Sequence, residues 1–90
     1  MKNLLQDYRN YLKIERAMSQ NTVASYCSDV SRFLDAAPED ILMTSPQDIE
    51  EYVAQGHGLS KRTQARMLSS LRSFFGWLVI EGMIRDNPCD

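Results

Sequence analysis

The chain is poor in the residue types that build catalytic and metal centres. It has two cysteines and one histidine in 90 residues, and its four glycines form no phosphate-cradling pattern. Two cysteines cannot supply a disulfide framework. Cys27 falls on an apolar helical face and Cys89 stands beside the last residue, so a small buried hydrophobe and a tail thiol are expected, in a reducing cytoplasm. His57 sits between Gly56 and Gly58 with no cysteine or acidic cluster nearby, which marks a loop residue and not a ligand. No HExxH, CxxC or GxSxG pattern occurs, and the carboxylates are scattered along the chain. No apolar run approaches the ~20 residues that a membrane span requires, and no secretory leader pattern is present. These absences lead to an expectation of no cofactor, no metal, no small-molecule substrate and no membrane partner.

Positive charge is also scarce. Ten Lys and Arg against twelve Asp and Glu give a net charge of −2, which argues mildly against a polyanionic partner. The argument is weak, because charges act within a Debye length of ~8 Å and a local basic patch can coexist with acidic groups elsewhere.

What the chain does have is helical periodicity. Four amphipathic patterns appear and nothing alternates with period two, so an all-α, compact four-helix bundle is expected. The first pattern runs from about Lys2 to Arg16 through Leu4, Leu5, Tyr8, Tyr11 and Leu12. The second opens on a Ser19 cap, with Met18 placed to staple onto Val23, and ends at Ala36-Ala37-Pro38. A linker through about Thr44, with a short turn at Glu39 to Leu42, leads to a third, short helix. Ser45 caps it, Pro46 starts it, Asp48 completes a capping box and Gly56 stops it. The fourth runs from a Ser60 cap to about Glu81, with Gly82 in the position just past a helix C-cap.

Two of these helices carry matching polar stripes. Asn21, Ser25, Ser28 and Arg32 fall at i, i+4, i+7 and i+11, and so do Arg62, Arg66, Ser69 and Ser73. Exposed helical faces usually favour Glu, Lys and Gln for propensity. Faces made of hydroxyl, amide and guanidinium groups instead suit phosphates and base edges. Lys61, Arg62 and Arg66 also crowd the start of the fourth helix, where cations oppose the helix dipole unless an anion binds there. By wheel arithmetic Trp77 falls towards the polar side, and is expected either to pack under the first helix or to meet a neighbouring domain.

The motifs at both ends of this pattern resemble those of tyrosine recombinases of the Xer and phage-integrase type. Met18, Ser19, Thr22, Tyr26, Asp29 and Phe33 match the family's opening motif. Leu59-Ser60-Lys61-Arg62-Thr63, Leu71-Arg72, Phe74-Phe75, Leu78, Gly82 and Asn87-Pro88 match its closing helix and exit. The resemblance implies a SAM-like orthogonal bundle, the N-terminal core-binding domain. It implies that residues 1–86 form this domain and 87–90 begin a linker to a C-terminal catalytic domain. The family's catalytic set belongs to that second domain, so Tyr8, Tyr11, Tyr26 and Tyr52 are not nucleophiles and these 90 residues are not themselves an enzyme. In that family the second and fourth helices approach the major groove. The implied partners are a double-stranded DNA half-site and other recombinase protomers. Lys61, Arg62, Arg66 and Arg72 would hold phosphates, while Asn21, Thr22, Ser25, Ser28 and Arg32, with Ser69 and Ser73, would contact backbone or base edges. The rival reading is a protein–protein module that docks through Trp77 or through the acidic third helix.

Overall fold

The computed structural model describes residues 3–36, 40–55 and 60–90. Four α-helices account for most of them, and there is no strand among the described residues: α1 (Leu4–Asn10), α2 (Gln20–Ala36), α3 (Pro46–Ala54) and α4 (Lys61–Ile80). The Cα radius of gyration is 12.5 Å, close to the ~12 Å expected for a folded chain of this length.

Local chemistry sets the helix boundaries. The Ser45 hydroxyl accepts the Asp48 N–H while the Asp48 carboxylate accepts the Ser45 N–H, a complete capping box with Pro46 in the first turn. At the other end of the chain, α4 closes in a Schellman arrangement: Met83 N–H bonds Leu78 O, Gly82 N–H bonds Val79 O, and Gly82 takes φ +75°. Between α2 and α3 a 3₁₀ turn covers Ile41–Met43, with the Leu42 amide capped by the Asp40 carboxylate. The expected stop at Gly56, the His57 loop and the Ala37-Pro38 breaker lie outside the described residues.

The first helix departs from expectation. It is α-helical only to Asn10, then widens into a π turn over Tyr11–Glu15. The added residue shifts the closing bond, so that Met18 N–H reaches back to Leu12 O at 3.1 Å. Ala17 takes φ 49° to permit this, a conformation that disfavours residues with a Cβ. Ile14 projects into solvent while Leu12 is fully buried.

A chain of aromatic rings ties the four helices into one core. It runs from Tyr8 on α1 to Phe74 on α4 (5.2 Å between centroids), then Phe75 (5.3 Å), then Phe33 on α2 (5.9 Å), and ends at Tyr52 on α3 (5.1 Å). Each contact is edge-to-face, the arrangement that the ring quadrupole favours. Trp77 belongs to this core. It is only 4% exposed and lies against Tyr8, Tyr11 and Phe74, because α1 and its π turn cover the flank that a wheel drawn on α4 alone leaves open. Of the two expected placements, packing under the first helix is the one observed.

The last residues fold back on α4. Asn87 Nδ2 donates to Arg72 O at 2.9 Å, Asn87 Oδ1 accepts the Cys89 N–H, and Pro88 is buried.

Candidate nucleic-acid interface

Helices α2 and α4 share one plan from their first residues. Ser19 caps α2 by accepting the Thr22 N–H, and its hydroxyl donates to Thr22 Oγ1; Ser60 and Thr63 repeat both contacts on α4. Counted from these caps, Asp29 and Ser70 hold equivalent positions. They meet, with Ser70 Oγ donating to Asp29 Oδ2 at 2.8 Å. Both are buried, at 2% and 0% exposure.

Arg66 completes this junction. Its Nε donates to Asp29 Oδ2 at 3.1 Å and its Nη2 to Asp29 Oδ1 at 2.9 Å, a two-pronged ion pair with the arginine side chain 49% exposed. Asp29 stands one helical turn from both Ser25 and Arg32. A guanidinium from the α4 stripe therefore reaches between members of the α2 stripe, and the middles of the two stripes adjoin.

The other expected contact residues divide by surroundings. Asn21, Ser28, Arg32, Lys61, Arg62 and Ser69 are exposed, and Ser25 is half-buried. Thr22 is committed to the cap of α2. Ser73 accepts the Tyr8 hydroxyl at 2.9 Å, which ties α4 to α1. Arg72 donates from Nη2 to Cys89 O at 3.3 Å, with Asp90 at 3.9 Å from its Nε, so it faces the returning tail. Lys61 shares that flank of the helical wheel, along with Leu68, and stands off the stripe.

Asp29 and Ser70 are the functional-looking residues that stripe counting missed. The signal was present: a carboxylate between Cys27 and Val30 on a mainly apolar flank requires a buried polar partner. Periodicity alone does not say which helix supplies it.

Charge is segregated in the same way. Helices α2 and α4 together hold five of the ten cations and two of the twelve acids, a net +3, while the remainder of the chain carries −5. Over its 20 residues α4 has no carboxylate. Acidic groups concentrate instead between α2 and the end of α3, where Asp40, Asp48, Glu50 and Glu51 occur with no cation among them, while Asp7, Glu15 and Glu81 rim a concavity lined by Trp77.

Burial controls the ionisable groups within the fold. It pushes the Tyr8 phenol far above its ordinary value, more than its bond to Ser73 offsets, and so this hydroxyl remains a neutral donor. Burial also raises Cys27, and pushes the Cys89 thiol up to about 11 against the opposing field of Arg72. Both cysteines are thiols at neutral pH, not nucleophilic thiolates.

The fold and its paired motifs have a family counterpart. The phage integrase N-terminal SAM-like domain matches residues 5–82, nearly the whole chain. The chain belongs to that family. Among its relatives, tyrosine recombinase XerC of Leptospira interrogans serogroup Icterohaemorrhagiae serovar copenhageni is 40% identical over 85 residues, covering 88% of this chain and 27% of the relative. Tyrosine recombinase XerD of Listeria monocytogenes serovar 1/2a is 32% identical over 95 residues, covering 98% and 32%. A tyrosine recombinase of Thermosipho africanus is 32% identical over 97 residues, covering all of this chain and 34% of the relative. The SAM-like domain thus spans about a third or less of the length of these relatives. No solved structure matches it.

Proposed function

We propose that this SAM-like domain binds duplex DNA through the adjoining stripes of α2 and α4 and positions a tyrosine recombinase on its half-site. The observation that carries the reading is the charge segregation: the two helices joined by the Asp29–Arg66 pair hold a net +3 in a chain of net −2. Arg32 and Arg62 on the stripes are the phosphate anchors, with Lys61 beside them at the first turn of α4, all three exposed, and Asn21, Ser25, Ser28 and Ser69 supply short donors and acceptors between them. Cleavage and rejoining fall to the remainder of a longer recombinase, which also supplies contacts to other protomers. The domain itself, residues 1–86 with a linker beyond it, holds and orients the DNA.

The protein-docking alternative through Trp77 loses its anchor, since that ring is buried beneath α1. Amide chemical shifts recorded during titration with duplex DNA test the proposal. Perturbations are expected along Asn21 to Arg32 and Arg62 to Ser69. Perturbations confined to α3, or to the end of the molecule bearing the exposed Ile14, Ile80 and Met83, would overturn it.

A further inference from the structure

The Arg66 site differs from an ordinary phosphate anchor in two respects, and both bear on what it recognises. The first is fixity. Asp29 is 2% exposed, and its Oδ2 is held by Ser70 at 2.8 Å, with the Arg66 carbonyl 3.1 Å from the same hydroxyl. The guanidinium docked on this carboxylate has lost most of the freedom of a surface arginine before any ligand arrives. The second is charge. Asp29 and Arg66 together are neutral, so the pair offers a phosphate little net attraction and would release few counterions on binding.

A neutral, oriented pair of N–H groups suits hydrogen-bond readout better than charge neutralisation. The bonds to Asp29 use Nε and one proton of Nη2. The outer edge, with Nη1 and the second Nη2 proton, belongs to a side chain that is 49% exposed. Arg62 and Ser69 stand one turn to either side of it and are exposed. That edge presents two parallel donors. In the major groove, guanine offers the matching pair of neighbouring acceptors, O6 and N7, whereas adenine, cytosine and thymine do not.

We infer that Asp29 and Ser70 hold Arg66 as a fixed fork that reads a guanine edge in the major groove, making Arg66 a specificity-determining residue and Asp29 its positioning residue. The inference rests on the proposed DNA-binding function and adds to it the class of contact made at one residue. It also divides the labour: Arg32, Lys61 and Arg62 bind without regard to sequence, and Arg66 chooses.

Selection of bound duplexes from a randomised pool, followed by salt titration on the selected site, tests this. The wild type is expected to enrich a fixed G·C pair. Replacing that pair by A·T should weaken binding roughly 5- to 150-fold, the range of one bidentate base contact. Arg66→Gln combined with Asp29→Asn, which keeps the pair neutral, should abolish that preference and leave the slope of log affinity against log salt unchanged. Asp29→Asn should lower the preference yet steepen the slope by up to ~0.9, because the arginine charge is then uncompensated. Arg62→Ala should do the reverse, flattening the slope by ~0.9 and sparing the preference. Circular dichroism at the assay temperature verifies folding, and Ser70→Ala, expected to weaken the preference, replaces Asp29→Asn if that variant unfolds. If the Arg66→Gln, Asp29→Asn double variant flattens the slope by ~0.9, Arg66 is a phosphate contact and the inference is wrong. If all variants keep the preference and differ only in melting temperature, the pair is a tie between helices and the inference is again wrong. Failure of the wild type to retain any duplex refutes the proposed function itself, whereas binding with an unchanged preference refutes only the role of Arg66.

Discussion

Replacing Trp77 by alanine is expected to remove about 3–5 kcal/mol of folding stability, the range for deleting a buried large aromatic. The indole is 4% exposed and touches three other rings, at 5.7 Å from Tyr8, 6.2 Å from Tyr11 and 6.1 Å from Phe74. Two of those rings come from α1 and its π turn, so the truncation also releases the helix that completes the bundle. A domain of this size has a total stability of roughly 5–13 kcal/mol, so the loss is a large fraction of the whole. The melting temperature should fall by roughly 12–40 °C, at the ~4–8 °C per kcal/mol typical of small domains. Thermal unfolding monitored by circular dichroism measures it. A loss below ~0.5 kcal/mol would place Trp77 on the surface and reopen the protein-docking alternative.

Asp29→Ala is expected to cost about 2 kcal/mol. The substitution deletes the acceptor through which α2 holds α4 at this junction, and hydrogen bonds to a charged group contribute ~1.5–3 kcal/mol each. Two features keep the figure below the ~3–5 kcal/mol of a fully buried broken pair. Arg66 is half-exposed and regains water, and Ser70 retains the Arg66 carbonyl as an acceptor. A double-mutant cycle with Arg66→Ala in urea should give a coupling of about 1–2 kcal/mol. A coupling near zero, as for most exposed ion pairs, would mean that Asp29 does not hold Arg66.

Most of the fold was legible because its boundaries are set by local chemistry. The Ser19, Ser45 and Ser60 caps, Pro46 and Gly82 each act within a few residues of their own position, and each stands where the sequence placed it. The π turn in the first helix was not legible, since Leu4, Leu5, Tyr8, Tyr11 and Leu12 satisfy an α period and the extra residue shows only in the backbone. Trp77 was ambiguous for a related reason: a helical wheel gives an angle, whereas burial depends on which neighbour covers that angle. The candidate interface was half legible. Stripe counting found the exposed groups on α2 and α4. It could not show that Arg66 is tied to Asp29 across 37 residues, or that Arg72 turns to the tail and Ser73 to Tyr8, because each of those contacts is tertiary.

Asn87, Pro88 and Cys89 fold back along α4. Asn87 fixes the chain direction through the Arg72 carbonyl and the Cys89 amide, so the exit from the bundle is anchored to the same helix that carries the basic stripe.

The central claim, that α2 and α4 form a duplex-binding surface, is tested most directly by measuring affinity for duplex DNA by fluorescence anisotropy across a range of salt concentrations. Three phosphate contacts, from Arg32, Lys61 and Arg62, give an expected slope of log affinity against log salt of about −2.7, falling to about −0.9 in the Arg32→Ala, Arg62→Ala double variant. Absence of duplex binding at low salt, or a slope that is near zero or identical in the double variant, would contradict the claim.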